Sequence, residues 1–301
     1  MISAKVIAAS MNTSGNRMLT FEVEYPRFIL AELNTHRMLS KNSASSRAIP
    51  VDTMLKQIRS NPVMPSKFGK NMSGMQSKEY LDNDTIELVK AEWLNGAINA
   101  ANTAEALHKL GLHKQWSNRG IETYQTMKTV ISGTEWDNFY HLRAHSAAQP
   151  EIEELAKAIR KAATDVNPIL LMPGEWHLPY IDINRTKDGI EYYSDGVNVS
   201  LEDAIKISVS CCAQTSYRKT DTSLEKATKI YDMLIKADVM HSSPFEHQAT
   251  PMDKRTWLEK LTLQKFTQDG ITHVDHGGNR WSGNLRGWIQ HRKLIRGEAV
   301  W

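Results

Sequence analysis

Between Leu19 and His36 the hydrophobic rhythm of the chain changes across a single proline. The stretch Leu19-Thr20-Phe21-Glu22-Val23-Glu24-Tyr25 alternates apolar and polar side chains, the period of a half-buried strand. Pro26 suits the first turn of a helix, where its preset φ helps and its missing N–H is not needed. Phe28, Ile29, Leu33 and His36 then recur at helical spacing, with an expected end near Arg37. A strand running straight into a short helix is the expected reading.

Other segments extend this pattern. Residues 60–80 mix Pro, Gly, Ser, Lys and Met without a period and read as a long surface loop. Asp84-Thr85-Ile86-Glu87 has the form of a capping box, opening a helix with Ile86, Val89, Trp93, Ala97, Ala101, Ala104 and Leu107 on one face. Residues 150–163 predict a helix with Ile152, Leu155, Ala156 and Ile159 inward. Prolines and glycines then crowd residues 164–198, where a boundary divides segment 1–165 from segment 166–301, the two expected to form one intertwined catalytic unit. Residues 204–212 are apolar and strand-like. Thr222-Ser223-Leu224-Glu225 caps a helix to about Lys236, with Leu224, Ala227, Tyr231, Leu234 and Ile235 buried. Residues 253–266 predict a further helix, and 270–283 a Gly- and His-rich loop.

Composition narrows the function classes. Of 301 residues, 41% are apolar, enough for a packed core, and the net charge of +3 lacks the basic excess of a nucleic-acid binder. No apolar run nears the ~20 residues of a membrane span, and Met1–Ile7 lacks the charge and apolar core of a secretion signal. The two cysteines, Cys211 and Cys212, are adjacent, which gives neither a disulfide framework nor paired metal-ligand spacing. A soluble cytoplasmic protein is expected.

The densest polar cluster follows the first helix: Thr35-His36-Arg37-Met38-Leu39-Ser40-Lys41-Asn42-Ser43-Ala44-Ser45-Ser46-Arg47. Arginine forks bind phosphate or carboxylate bidentately, and hydroxyls with freed backbone N–H groups complete an anion nest. The plain alternative is a solvated loop at a helix C-terminus, where basic residues and serines also gather.

The spacing His-Arg-x-x-Ser-x-Asn-x-x-Ser-x-Arg resembles the signature of the flavin-dependent thymidylate synthases, with Pro26 and Phe28 where that family has a Pro-x-Phe helix start. The resemblance implies that His36 and Arg37 lie by a flavin, that Asn42 contacts FAD, and that Ser45, Ser46 and Arg47 hold dUMP. The sequence departs at Thr35, where the family has arginine, and at Glu32, where it has the glutamine of the nucleotide site. Asn138-Phe139-Tyr140-His141-Leu142-Arg143 is similar to the family's Asn-Phe-x-x-Leu-Arg segment, implying FAD contact for Asn138 and uracil contact for Arg143. An amphipathic helix whose arginine pairs with a nearby acid is the alternative. Arg119 resembles a further dUMP-binding arginine. Ala213-Gln214-Thr215-Ser216-Tyr217 and His241-Ser242-Ser243-Pro244-Phe245-Glu246-His247 resemble two more elements, with Ser216 and His247 at FAD positions. Glu246-His247 alone could also be a metal pair or an ordinary hydrogen-bonded histidine.

In the family this last element precedes the arginine-rich helix; here it follows about two hundred residues later, as in a circular permutation or a rearranged relative. The resemblance implies an α+β fold, with a mixed sheet flanked by helices, and a homotetramer. It further implies FAD as cofactor, NADPH and methylenetetrahydrofolate as co-substrates, and methylation of dUMP at C5, with Arg143 and Ser45 the catalytic residues. No metal, nucleic acid or membrane enters that chemistry. The segment Asn284–Lys293 has no counterpart; Gln290 and Arg292 are candidates to replace the missing glutamine and arginine, against a plain surface helix. The cysteines lie in apolar surroundings without a basic neighbour and read as inert thiols. Two competing functions remain at this point: a nucleotide- or flavin-binding regulator without turnover, and a nucleic-acid binder using the basic stretch 290–296.

Overall fold

In a computed structural model, residues 2–216, 220–254 and 268–298 are described. The first part runs β1 (Ser3–Asn12), β2 (Arg17–Pro26), a 3-10 turn (Arg27–Ile29), α1 (Leu30–Asn34), β3 (Ser40–Ser43), α2 (Val51–Ser60), α3 (Asn83–Lys109), α4 (Lys114–Ser117), a 3-10 stretch (Arg119–Tyr124), β4 (Thr126–Gly133), α5 (Asp137–Arg143) and α6 (Pro150–Thr164). The second adds β5 (Ile169–Leu171), β6 (Asp182–Thr186), β7 (Gly189–Ser194), β8 (Val197–Val199), α7 (Leu201–Ala213), a 3-10 turn (Gln214–Ser216) and α8 (Leu224–Lys236). A 3-10 turn (Ser243–Glu246), β9 (Ala249–Pro251), β10 (His273–Val274), β11 (Arg280–Ser282), β12 (Leu285–Arg286), β13 (Trp288–Gln290) and a last 3-10 turn (His291–Leu294) follow.

The architecture is α+β, with a mixed main sheet of order β3-β4-β2-β1-β5 in which only β5 runs parallel to its neighbour. Pairing of β5 with β1 makes segments 1–165 and 166–301 share this sheet. Its central strands β2 and β4 are buried on both faces. Leu19, Phe21, Val23, Tyr25, Met127 and Ile131 project to one side, against Leu33, Phe139 and the inward row Ile152, Leu155, Ala156 and Ile159 of α6. Alternation puts Met18, Thr20, Val130 and Ser132 on the other. There Met18 packs on Leu171, Ala249, Leu285 and Trp288 of the second part. A smaller core joins α2 to α3 through Met54, Leu55, Ala97 and Ala101.

Several expectations change. The 83–109 helix is capped by Asp82, which accepts from Thr85 N–H, and not by Asp84. At its other end Leu107 is 36% exposed. Residues 204–212 form α7 rather than a strand: Ser200 accepts from Asp203 N–H, two acids favour the first turn, and Ala204, Ile207 and Cys211 repeat along one buried face. In α8, Ala227, Ile230 and Leu234 are buried while Leu224 is exposed. The expected helix at 253–266 lies almost wholly outside the described residues, as does Tyr217.

Asn284–Lys293 is neither a surface helix nor a source of free ligand groups. It forms β12, β13 and a turn, with Trp288 and Ile289 buried and Gln290 2% exposed. Gly287 makes the turn between those strands; its φ of +74° and its closeness to the Asn12 and Asn16 amides leave no room for a side chain. Gln290 Nε2 donates to Asn284 Oδ1 (3.1 Å) and the Glu246 carbonyl (3.3 Å), and Arg292 is paired with Glu246 and Glu298.

Leu155 is fully buried, so Leu155→Ala is expected to cost about 2–5 kcal/mol of unfolding free energy, and the exposed Leu107→Ala under about 1 kcal/mol. Urea titrations of both variants check this ranking.

Candidate active site

Three segments distant in sequence meet beside the edge strand β3. Asn42, on β3, donates from Nδ2 to the Cys212 carbonyl at the end of α7 (2.5 Å) and accepts from Ser243 Oγ (3.1 Å). Ser45 N–H donates to Ser216 Oγ (2.8 Å). The Ser-Pro-Phe-Glu turn and the Gln214–Ser216 turn are thereby held against the first motif. Each end of the Asn42 amide makes one bond of this clamp, which fixes its orientation and leaves one N–H and one lone pair.

The second motif closes on the first from α5. Arg143 Nε donates to His36 Nε2 (2.8 Å), and its Nη2 lies 3.4 Å from Thr35 Oγ1. Accepting that bond requires a neutral His36 ring. Burial, then the charges of Arg143 and Lys41, lower its pKa to about 4. Thr35 thus accepts from Arg143 where an arginine would oppose it with like charge. Lys41 Nζ donates to the carbonyls of His36 (2.6 Å) and Leu39 (2.8 Å), pinning the turn after α1, and burial lowers its pKa to about 8.

Beside Arg143 lies a cavity of about 460 Å³, lined also by Glu32, Lys67, Met75, Tyr80, Gln149 and Glu153. Glu32 and Arg143, both expected at the nucleotide, therefore share one wall system. The buried Oε2 of Glu32 has no hydrogen-bond partner. Lys67 is held by Glu153 (3.3 Å), and the segment behind it by Ser66 N–H donating to Glu151 (2.7 Å) and a Gly69–Tyr80 bridge.

The remaining expected residues divide by environment. Arg37, Arg47 and Asn138 are exposed, and their side chains have no partner among the described residues. The Ser46 hydroxyl is buried and donates to Glu122 (2.5 Å), so its expected ligand contact falls to the backbone. That carboxylate also binds Arg27 (3.1 Å) and Arg119 (3.0 Å), which turns Arg119 toward its own loop. His247 is fully buried, its Nδ1 2.8 Å from Ser132 Oγ. Cys211 and Cys212 are sealed on α7; burial pushes Cys211 up to about 12 and Cys212 well above its ordinary value, as expected for inert thiols.

With this geometry in place, a model of the family described as Thymidylate synthase complementing protein matches residues 16–169, just over half of the chain. The chain belongs to that family. Compared with curated proteins, it finds no match. Among solved structures, a UMP/dUMP methylase, PolB, from Streptomyces cacaoi bound with 5-Br UMP aligns at 15% identity over 56% of this chain and 90% of its own, with a TM-score of 0.46. Thymidylate Synthase X from Helicobacter pylori with FAD and dUMP aligns at 18% identity over 48% of this chain and 67% of its own, with a TM-score of 0.35.

The sequence pattern did not single out Lys41, Lys67, Tyr80 and Glu153. Lys41 lay inside the quoted cluster, on β3 seven residues beyond the end of α1, and only the fold of the intervening turn brings its ammonium to the His36 and Leu39 carbonyls. Nothing local marked the others, because a loop and two helices must fold together before they share a cavity.

Four histidines, His36, His177, His247 and His291, are held at pKa values of about 4, 3, 3 and 4, against an ordinary 6.5. Unfolded, they take up protons from about pH 6.5 downward while the native protein does not, so stability falls as pH drops from about 6.5 toward 4. The urea midpoint is expected to be lower at about pH 5 than at about pH 7, with a smaller drop for His36→Asn. Equal drops in the two proteins would contradict a neutral native His36.

Proposed function

We propose that this protein is an FAD-dependent enzyme that transfers a one-carbon unit from methylenetetrahydrofolate to C5 of dUMP, giving dTMP, with NADPH as reductant. The observation that carries this function is the convergence of three motif segments around His36, Asn42 and Arg143 in a member of the thymidylate synthase complementing family.

The residues suit a flavin dinucleotide: among the described residues Arg37 offers an unpaired guanidinium for its phosphates, Asn138 an amide without a partner, and His247 a ring nitrogen without one. His36, Arg37, Asn42, Asn138, Ser216 and His247 would hold it. Bound FAD would supply the reducing equivalents that turn the transferred carbon into methyl. Arg47 and Ser45 would anchor the nucleotide phosphate, with the Ser46 backbone and Arg119 at its rim. Arg143, already oriented by neutral His36, would face the base beside Glu32 and stabilise negative charge developing on the uracil carbonyl. That charge accompanies activation of C5, whose proton leaves as the new carbon bond forms. Thiol-dependent thymidylate synthases use a cysteine for this activation; the buried Cys211 and Cys212 fit a mechanism without one. A cytoplasmic homotetramer and a permuted segment order belong to the same proposal.

Glu32 favours one second substrate. Its carboxylate side chain lines the cavity with Arg143 and would accept from the 4-amino group of a cytosine base, so dCMP, methylated or hydroxymethylated, is the alternative.

The deciding assay is release of tritium from [5-³H]dUMP and [5-³H]dCMP, dependent on methylenetetrahydrofolate and NADPH. Release from neither substrate, by flavin-loaded protein, rejects the transferase and leaves a binding protein. Cys211→Ala and Cys212→Ala are each expected to keep most turnover; a loss of about a thousandfold in folded protein would point to a thiol mechanism. Arg47→Ala should weaken dUMP binding by about tenfold or more and leave deoxyuridine binding unchanged, whereas Arg143→Ala should lower kcat more than affinity. Calorimetric titration with nucleotide and nucleoside, together with steady-state rates, separates the two roles.

A further inference from the structure

The segment Asn284–Lys293 lies beyond residues 16–169, the stretch that matches the family, yet it grips the turn that carries Arg37. Ser282 pairs with Leu285, so Gly283 and Asn284 form a two-residue hairpin loop between β11 and β12. Gly283 takes a positive φ (+59°), which such loops favour at their first position. Two residues after Asn284, Arg286 seats the hairpin on the end of β4. Its N–H donates to Thr134 Oγ1 (3.0 Å) and its Nε to Glu135 (2.7 Å).

Asn284 thereby reaches the turn between α1 and β3. Its Nδ2 donates to the Met38 carbonyl (3.1 Å) and lies 3.0 Å from Ser40 Oγ. Two carbonyls fix the direction of this network, because a carbonyl can only accept. The Met38 carbonyl turns Nδ2 of Asn284 toward itself. The Glu246 carbonyl likewise takes Gln290 Nε2 (3.3 Å), which also donates to Asn284 Oδ1 (3.1 Å). Ser40 and Gln290 are each 2% exposed, so water does not compete for their bonds. On the other flank Lys41 Nζ holds the His36 carbonyl (2.6 Å). Arg37 is bracketed by two anchored carbonyls, one residue to either side. Its own side chain is exposed and has no partner among the described residues. An unpaired guanidinium on a fixed backbone loses little order when an anion arrives.

We propose that Asn284 is a positioning residue for Arg37: it holds the 36–40 turn so that this guanidinium is presented to the phosphate groups of a ligand. That the ligand is FAD rests on the function proposed above; the anchoring of the turn does not.

The test measures binding of FAD, riboflavin and inorganic pyrophosphate to wild type, Asn284→Ala, Arg37→Ala and the double variant. Riboflavin keeps the flavin ring and lacks the phosphates. Asn284→Ala is expected to weaken FAD by about fivefold and riboflavin by less than about twofold. Arg37→Ala should weaken FAD by about tenfold, and adding Asn284→Ala to it should change little more, because both act through one group. Equal losses for FAD and riboflavin, or additive losses in the double variant, would mark a general structural role and overturn the proposal. Amide exchange should quicken at residues 36–40 in Asn284→Ala and stay as in wild type on β2 and β4; no change at the turn, or quickening in both places, also overturns it. Should wild type bind no FAD, pyrophosphate binding with the same dependence on Arg37 and Asn284 keeps the positioning role and rejects flavin as the ligand. No such dependence overturns both.

Discussion

The central strand pair, β2 and β4, is covered on both faces, and the rest of the molecule follows from that. One face is apolar and takes α5 and α6. The other mixes Met18 and Val130 with Thr20 and Ser132, and the hydroxyls can be buried only because each finds a partner. Those partners, His177 and His247, come from the second part of the chain. His177 also pairs its backbone with Ala249, which seats β9 and β13 over the sheet. Covering one sheet thus joins the two parts of the chain.

The candidate site grows from the edge of that assembly. β3 adds to the sheet through β4, and its Asn42 reaches across to α7 and to the Ser-Pro-Phe-Glu turn. The turn is fixed from behind by Gln290 and Arg292. Arg143 on α5 rests on His36, whose neutral ring is enforced by burial and by two neighbouring cations. In the cavity beside it, Lys67 is paired with Glu153, so Arg143 and Glu32 are the two charged groups left to meet a ligand. Such an arrangement gives a ligand one donor group and one acceptor group to meet.

Local pattern made several features legible. The α6 stripe of Ile152, Leu155, Ala156 and Ile159 is buried as its spacing requires, because an amphipathic helix hides its apolar side chains by turning that one stripe inward. The strand-to-helix change at Pro26 holds for the same kind of reason. The motif residues were identifiable as a set because their types and spacing are unusual. Errors arose where two local signals competed. Residues 204–212 carry β-branched side chains, but the cap at Ser200 and the buried face decide for a helix. At the start of α3, Asp82 and Asp84 were both plausible caps, and geometry selected Asp82.

The sequence by itself determined which residues could act: the cluster from His36 to Arg47, the Asn138–Arg143 segment and the Ser-Pro-Phe-Glu-His element carry their chemistry in residue type and spacing. Only the tertiary structure decided what each side chain is free to do. Asn42 and Ser46 have the right chemistry, yet their side-chain polar atoms are already engaged by Cys212, Ser243 and Glu122. His247 is linked through two hydroxyls to a histidine 70 positions before it, and Glu32 and Arg143 reach one cavity with Lys67 and Tyr80. A buried polar group must find its partner in space, and contacts between residues far apart in the chain leave no periodicity behind. Spacing can therefore nominate a functional residue, while burial and hydrogen bonding decide whether it is available.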